Sequence, residues 1–427
     1  MQRLWRNREG QTVVLFSGLT LLLGLGGNRL LTEVVPPAQL GELYLILNLA
    51  FWLALPTSGA YVFIGRHWPV ARQHGTERRF AAAILRGLGL QALLATAGAG
   101  ALWALGFHGL SAGAALALAV IATGQAVAQA LDPIPASVRR RVLAGVMGLL
   151  GNPARQVVLA SGFLLFGAAG FSALLATQAA YSAALACASL AMLWLVLRAP
   201  AAAPSDDGLS LRGFFRYVIP YVAGVAATQL SATAERWGLA DRASTSATAL
   251  FVQAVGLSTA AAAAGTSFLS SYYLPIIAQA SGNQQRPIAA AWPLARKFVA
   301  LTAALLLALV VFGALLAGPA TRLLFGDRFR AVEDLLPWTL CGAACFALGQ
   351  ALTVFSYSAR ETLSPNVAFI ASKAIYVGLL AGATGDALPL RFSRWFALSQ
   401  ALYAAMMLAA STRLILAEAK SSAPSQT

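Results

Sequence analysis

Charged side chains inside apolar segments are the feature of this sequence that could do chemistry. Five cations lie in or at the ends of such segments: Arg29, Arg86, Arg155, Arg236 and Lys373. A guanidinium or ammonium group is costly to hold in hydrocarbon, so each is expected to face protein or water. Arginine pairs with phosphate and carboxylate groups through two parallel hydrogen bonds. These cations are therefore candidate contacts for an anion.

Each cation also has a structural interpretation. Arg29 and Arg236 lie near predicted outer ends of their segments, where they would serve as interfacial anchors or as members of a structural pair. Arg86 closely follows two other arginines, which favours an anchor at the cytoplasmic surface. Lys373 lies about halfway along its segment, which favours a hydrated cavity over lipid. Both interpretations stay open for each of them.

Neutral and acidic side chains accompany the cations as candidates for ion coupling or for the polar lining of a path: Asn28, Gln125, Gln129, Asp132 and Glu235. Gln125, Gln129 and Asp132 recur at helical spacing, which places them on one face of a helix that turns toward a protein interior. Interhelical hydrogen bonding, with Asp132 as a cytoplasmic cap, is the alternative and is slightly favoured. Asp132 could instead exchange a proton or a sodium ion.

The chain that must position these groups is strongly apolar. It has 427 residues, of which 59% are hydrophobic and 11% charged, whereas an ordinary soluble domain has roughly 25% charged residues. A spanning helix needs about 20 apolar residues, and such runs follow one another with short loops between them. We therefore predict an all-α polytopic membrane protein with about twelve transmembrane helices. The apolar runs cover about 11–31, 40–64, 81–106, 110–132, 142–167, 171–197, 214–235, 246–275, 293–317, 334–358, 363–385 and 392–416.

A polar interruption between Arg198 and Arg216 divides the predicted helices into two groups of six. It contains Pro204 and two aspartates, which is typical of a linker. Basic residues concentrate in the segments that this arrangement places in the cytoplasm, which predicts that both termini are cytoplasmic. The predicted parts are an N-terminal lobe (1–197), a cytoplasmic linker (198–213), a C-terminal lobe (214–416) and a disordered cytoplasmic tail (417–427).

The fifth apolar run has two possible topologies, called here the first and second solutions. Gly151, Asn152 and Pro153 interrupt the fifth apolar run. In the first solution the span continues through this interruption, and Arg155 lies inside the membrane. In the second, an interfacial segment begins at Val142, two spans lie within the apolar stretch from Gln156 to Leu197, and Arg155 is a cytoplasmic anchor.

Several kinds of site are excluded by residue spacing. Gly24, Gly26 and Gly27 are not followed by the Lys and Ser/Thr of a nucleotide-binding loop. The three cysteines lie in apolar runs without the paired spacing of a metal site, and there is no HExxH motif. The net charge is +15, but the basic residues lie in short loops rather than in a stripe, so nucleic acid is not an expected partner. We predict no catalytic residues, metal or organic cofactor.

Three segments carry a family resemblance. The segment Leu30–Tyr44, with the span that follows it, resembles the first hairpin of Wzx-type polysaccharide flippases of the multidrug/oligosaccharidyl-lipid/polysaccharide (MOP) superfamily. Leu324–Phe329 is similar to that family's outer turn before the tenth span. Ala234–Trp237 stands in the place of its Asp-Arg pair at the end of the seventh span, with Glu235 instead of the more usual Asp.

The resemblance implies two six-helix lobes that form a V, as in MATE transporters, around a cationic cavity with alternating access. It implies that an undecaprenyl-diphosphate-linked oligosaccharide moves from the cytoplasmic to the periplasmic leaflet of the bacterial inner membrane, for surface polysaccharide synthesis. Partners would be this lipid-linked glycan, the bilayer, and a glycan polymerase or glycosyltransferases. Coupling to protons, to sodium or to the membrane potential stays open.

Two other functions remain as alternatives. One is a cation-coupled multidrug exporter of the same superfamily. A cationic drug needs acidic contacts, and the spans contain few acidic residues, which argues against this alternative. The other, from a different class, is a membrane glycosyltransferase or ligase of glycan assembly. An enzyme of that kind needs catalytic outer loops, and the longest candidate, Gly318 to Glu333, is short.

Overall fold

The computed structural model describes residues 8–137, 140–167, 170–198, 211–281, 287–359, 361, 363–385 and 387–420. Within these ranges the regular elements are all helices, which confirms the predicted all-α fold. Long apolar runs form helices because a helix satisfies its own backbone hydrogen bonds, which lipid cannot do. The helices are α1 (Arg8–Val34), α2 (Pro37–Gln73), α3 (Glu77–Ala104), α4 (Ala112–Leu131), α5 (Pro133–Ser137), α6 (Arg141–Leu150), α7 (Asn152–Phe166), α8 (Phe171–Leu197), α9 (Leu211–Arg242), α10 (Thr245–Ser281), α11 (Pro287–Leu315), α12 (Ala317–Phe325), α13 (Val332–Ser358), α14 (Leu363–Ala381) and α15 (Leu388–Lys420).

Ten segments of the described residues are long and apolar enough to cross a membrane. Each matches one of the predicted runs, and the run predicted at 171–197 has the bounds of α8. The two remaining predicted runs, 11–31 and 214–235, lie within the long helices α1 and α9, which are not among the ten. The protein is therefore a multi-pass membrane protein.

The chain divides into two compact units. The first comprises Met1–Gln229 with Leu324–Arg328, and the second comprises Leu230–Leu323 with Phe329–Thr427. The predicted linker at 198–213 lies mostly outside the described residues, and so do residues 421–427 of the predicted tail. Helix α15 continues through Lys420, four residues into that tail segment (417–420). The lobe boundaries stay a prediction.

In the first unit, small residues let helices approach closely. A Cβ on Gly124 of α4 would collide with the backbone of Ser182 on α8, and its distance to the Ser182 carbonyl carbon would be 2.7 Å. A core of large apolar side chains, including the fully buried Trp68, packs with Phe80 and Leu131. Close backbone contact through small residues is the usual way to pack helices in lipid, because burying apolar surface there does not drive helix association.

In the second unit, α13 packs along α15 through two glycines. A Cβ on Gly342 would lie 2.5 Å from the ring of Phe396, and a Cβ on Gly349 would lie 2.5 Å from the ring of Tyr403. The two glycines are seven residues apart and so lie on one face of α13. That face receives successive aromatic rings of α15.

Side chains distant in sequence cap helix ends in the second unit. The carboxylate of Glu418, in the last turn of α15, accepts hydrogen bonds from the backbone N–H groups of Ile288 (3.1 Å) and Ala289 (2.8 Å) at the start of α11. Arg242 donates to the carbonyl oxygens of Leu380 and Ala383, each at 3.0 Å, beside the end of α14. These charges complement the helix dipoles, which are positive at the N-terminus and negative at the C-terminus.

Candidate functional site

The helix of the fifth span is broken, and several polar residues of the first unit lie at this break. Helix α6 ends at Leu150 and α7 begins at Asn152, with Gly151 between them at φ −73° and ψ −134°. The apolar segment nevertheless continues as one candidate span, Val142–Phe166, followed by Phe171–Leu197. This matches the first of the two predicted solutions and places Arg155 inside a span.

Tyr181 of α8 occupies this break. Its hydroxyl donates to the carbonyl oxygen of Gly151 at 2.6 Å and also contacts the carbonyl oxygen of Leu150. An interrupted helix exposes carbonyl groups that lipid cannot satisfy, and broken helices occur where protein or a water-filled cavity supplies partners. Tyr181 is such a partner, and it stabilises the broken geometry.

Helix α1 packs against the first turn of α7. The side-chain amide of Gln156 donates to the Oδ1 atom of Asn28 at 3.4 Å. A Cβ on Gly27 would lie 3.1 Å from the Cβ of Gln156 and 3.3 Å from the carbonyl oxygen of Pro153. Asn28 therefore contacts a residue in the middle part of the Val142–Phe166 segment.

Arg155 is a half-buried cation in the first turn of α7. Its Nε atom is buried, and among the described residues it has no hydrogen-bond partner. Its backbone N–H group donates at 3.2 Å to the carbonyl oxygen of Gly151, which also accepts from the Tyr181 hydroxyl. The N-terminal end of a helix carries partial positive charge and exposed N–H groups. Arg155 thus adds a full positive charge to an already positive helix end. We call Asn28, Arg155, Gln156 and Tyr181 the helix-break cluster.

Arg29 is held by two neighbours in the first unit. Its Nη2 atom lies 3.4 Å from the Oε2 atom of Glu33, one turn farther along α1. Its guanidinium group also packs on Gly326, where an added Cβ would collide with Nη1. Gly326 lies in the Leu324–Phe329 segment that resembles the family's outer turn. The sequence did not reveal either contact, although the Arg29 to Glu33 spacing is that of a helical ion pair.

The remaining candidates of the first unit are dispersed. Arg86 is exposed on α3. Gln125 and Gln129 are half-buried on α4, and the buried Oε1 atom of Gln125 has no hydrogen-bond partner among the described residues. Asp132 is exposed at the C-cap position of α4, where the cap alternative placed it. The contacts described for the helix-break cluster do not include these residues.

The second unit holds a separate group of charges. Glu235 of α9 and Lys373 of α14 are 9% and 7% exposed, and Tyr376, one turn beyond Lys373, is fully buried. The Tyr376 hydroxyl donates to the carbonyl oxygen of Phe392 at 3.5 Å, and the Nζ atom of Lys373 lies 5.5 Å from the centroid of the Phe369 ring. Arg236, next to Glu235 in the chain, is half-buried. We call Glu235, Lys373 and Tyr376 the buried charge cluster.

Four of the sequence-predicted residues therefore lie in two groups, one in each unit. Asn28 and Arg155 lie in the helix-break cluster, while Glu235 and Lys373 lie in the buried charge cluster. Sequence reasoning missed Tyr181, Gln156 and Tyr376. The Gly-Asn-Pro interruption was a usable signal for a site at the break, but a lone tyrosine in an apolar run gives no signal of the carbonyl groups that it contacts.

No family model and no curated protein matches the sequence. Among solved structures, the chain is similar to an inward-facing multidrug-resistance MATE family transporter of the MOP superfamily, at 14% identity over 95% of this chain and 96% of that chain (TM-score 0.61). An outward-facing MATE transporter matches at 17% identity over 98% and 99% (TM-score 0.58). The lipid II flippase MurJ, in an inward closed conformation, matches at 10% identity over 96% and 90% (TM-score 0.68). At these identities the similarity shows a common fold.

Proposed function

We propose that this chain, whose fold is that of MATE transporters and of the lipid II flippase MurJ, moves a polyprenyl-diphosphate-linked oligosaccharide from the cytoplasmic to the periplasmic leaflet. The observation that carries the proposal is the helix-break cluster. It combines a cation, a helix N-terminus, two amides and a phenol inside a membrane span. That set of groups suits an anion that also bears sugars.

The chemistry of such a lipid requires a polar path. A diphosphate group and sugar hydroxyls cannot cross hydrocarbon unaided, whereas the polyprenyl tail can remain in lipid. The guanidinium group of Arg155 would pair with phosphate oxygens, and the amides of Asn28 and Gln156 would hydrogen-bond to the glycan. A negative-inside potential favours outward movement of an anion by about 2.3 kcal/mol per charge for each 100 mV. Export by this route needs no nucleotide.

Charge compensation favours this function over export of cationic drugs. A cationic drug needs a carboxylate that is not already neutralised by the protein. Glu33 pairs with Arg29, and Glu235 is buried next to the cation Arg236 in a unit that also buries the cation Lys373. The helix-break cluster contributes a cation and neutral groups. The fold shared with transporters also supports transport over glycan ligation.

The test measures flipping in proteoliposomes that contain the full chain. The probe is an undecaprenyl-diphosphate-linked disaccharide with a fluorophore on the sugar, which a membrane-impermeant reductant quenches in the outer leaflet. We expect the protein to make the inner-leaflet probe accessible. Arg155→Gln should slow this by at least about tenfold, equivalent to about 1.4 kcal/mol of transition-state stabilisation. The matched control is Arg79→Gln, at an exposed arginine of α3.

Three outcomes contradict the proposal. In the first, vesicles with and without protein quench alike. In the second, Arg155→Gln and Arg79→Gln flip at the wild-type rate. In the third, the protein transports a cationic dye and leaves the lipid-linked probe in place, which favours the drug-exporter alternative. Covalent transfer of the disaccharide to an acceptor glycan in detergent would favour a ligase.

The proposal includes a cellular setting. The chain is expected in the bacterial inner membrane, and a glycan polymerase or glycosyltransferases would use the exported lipid-linked glycan. Depletion of the protein should therefore make the lipid-linked oligosaccharide accumulate in the inner leaflet.

A further inference from the structure

Two arginines from distant parts of the first unit lie at the end of α8. Arg198 is the C-cap residue of this helix, and its Cζ atom lies 3.4 Å from the centroid of the Trp194 ring, one turn earlier. The Nη1 atom of Arg140 donates to the carbonyl oxygen of Leu195 at 3.5 Å. The two guanidinium groups are thus fixed on consecutive residues of α8.

Both arginines are held in place without losing their charge to an acid. An indole face holds the Arg198 guanidinium group by cation–π attraction, which uses none of its N–H donors. Backbone bonds position Arg140, because its N–H group donates to the carbonyl oxygen of Pro135 at 2.9 Å and its own carbonyl oxygen accepts from Ala144 at 3.0 Å. Among the described residues, no carboxylate pairs with either arginine. The end of α8 therefore presents two uncompensated positive charges.

The surroundings of these charges are those of a membrane surface. Helix α8 is a candidate span that ends at Leu197, so Arg198 lies directly after the last residue of the span. Trp194 and Leu195 are 52% and 44% exposed, and Leu190, one turn farther into the span, is also exposed. Tryptophan is enriched where hydrocarbon meets the headgroups. A molecule with acyl chains against these apolar side chains would bring its headgroup to the two arginines.

We propose that Arg140, Trp194 and Arg198 form a binding site for an anionic glycerophospholipid such as phosphatidylglycerol, here called the lipid site. The phosphate group pairs with the Arg198 guanidinium group, whose planar donors fit two phosphate oxygens, and Arg140 adds a second positive charge. A zwitterionic lipid fits less well, because its choline or ethanolamine cation would meet two positive side chains. The lipid site shares no residue with the helix-break cluster and does not depend on the proposed function.

The experiment measures binding of phosphatidylglycerol, with a fluorophore at the end of one acyl chain, to the purified full chain in detergent by fluorescence anisotropy. We expect saturable binding, and weaker binding of phosphatidylcholine with the same label. Arg140→Gln combined with Arg198→Gln should raise the Kd by at least about tenfold, because each basic side chain beside an anionic headgroup contributes to binding. The matched control combines Arg79→Gln with Arg413→Gln, at exposed arginines of α3 and α15, and should leave the Kd unchanged.

Two single variants test the ring and the planar donors separately. Trp194→Leu removes the ring face that positions Arg198 but keeps an apolar side chain, so it should also raise the Kd. Arg198→Lys keeps the charge without the planar donors, and its Kd should lie between those of the wild type and Arg198→Gln. All the replaced side chains are exposed. Each variant should therefore keep the wild-type thermal unfolding temperature (Tm) in lipid-free detergent.

Three results would overturn the proposal. If the control pair weakened binding as much as Arg140→Gln with Arg198→Gln, the lipid would respond only to net charge. If phosphatidylcholine bound equally well, or inorganic phosphate at equal concentration displaced the lipid, the ligand would not be an anionic lipid.

The third result concerns Asp206 and Asp207, the next acidic residues after Arg198, which lie outside the described residues. Lipid binding that appears only after both are replaced by Asn would show that the linker neutralises the arginines in the wild type. None of these measurements follows flipping, so failure of the lipid site and failure of the proposed function are distinguishable.

Discussion

Gly326 occupies a backbone position that requires glycine. Its φ angle is +76°, in the left-handed region that favours glycine because other L-residues place a Cβ too close to the backbone. The same Cβ would also collide with the guanidinium group of Arg29. Glycine is required here for two separable reasons, one in the backbone and one in the contact.

Gly326→Ala should lower the Tm of the protein in detergent, because the left-handed backbone alone costs roughly 1–2 kcal/mol. Gly378→Ala is the control, since a Cβ on this helical glycine meets nothing within 4 Å. Adding Arg29→Ala to Gly326→Ala should recover part of the loss, because the collision disappears and the backbone strain stays. Strict additivity of the two single substitutions would show that Arg29 and Gly326 do not interact.

Tyr181→Phe should destabilise the helix break while keeping the aromatic ring. Loss of the hydroxyl leaves a carbonyl group at the break without its partner, a cost of about 1–3 kcal/mol where no water or other donor replaces it. Thermal unfolding in detergent is the measurement. Tyr272→Phe, at an exposed tyrosine that contacts the ring of Tyr273, is the control. Equal Tm values for both variants would contradict the role assigned to the Tyr181 hydroxyl.

At the scale of helices, the apolar runs predicted the spans well, and the helix ends less well. The run at 171–197 has the bounds of α8, whereas α10 and α15 extend past the ends predicted at 275 and 416. Apolar length determines what can lie in lipid, but a helix ends where its last carbonyl groups find other partners. Such partners are distant in sequence, as Arg242 is from the end of α14.

Glu418→Ala should reduce stability by about 0.5–2 kcal/mol, the usual effect of removing a group that caps a helix N-terminus. The carboxylate serves two N–H groups of α11 across 129 and 130 residues of chain. Thermal unfolding with Asp241→Ala, an exposed acid of α9, as control measures the effect. The cap would be energetically unimportant if both variants unfolded at the same temperature.

At the scale of the whole molecule, sequence reasoning predicted the fold class but not the grouping of the charges. Their position in or at the ends of apolar segments predicted Arg155, Glu235 and Lys373 as candidate site residues, because burying a charge in a membrane is costly. It could not show that Glu235 of α9 and Lys373 of α14 are both buried within the second unit, since burial depends on helix rotation and packing. Lys373, which the sequence predicts as an anion contact, is buried in the second unit, as Glu235 is. Its role as an anion contact stays a prediction.

The distribution of basic residues predicts cytoplasmic termini, and fusions test this directly. Green fluorescent protein placed after the C-terminus should fluoresce in bacterial cells. Alkaline phosphatase inserted after Gly106, in a predicted outer loop, should be active, and insertion after His74, in a predicted cytoplasmic turn, should leave it inactive. The reverse pattern would invert the proposed direction of every span.

The break at Gly151 also restricts how the chain can change in length. Successive residues of a helix are rotated by about 100° around its axis. One residue inserted between Pro153 and Arg155 would therefore rotate the Arg155 side chain by that angle relative to Gly151 and the Tyr181 hydroxyl, and would move it along the axis by only about 1.5 Å. The length of the interval from Gly151 to Arg155 thus fixes the rotation of Arg155 around the helix axis. An insertion or deletion there should disrupt the helix-break cluster far more than most substitutions nearby.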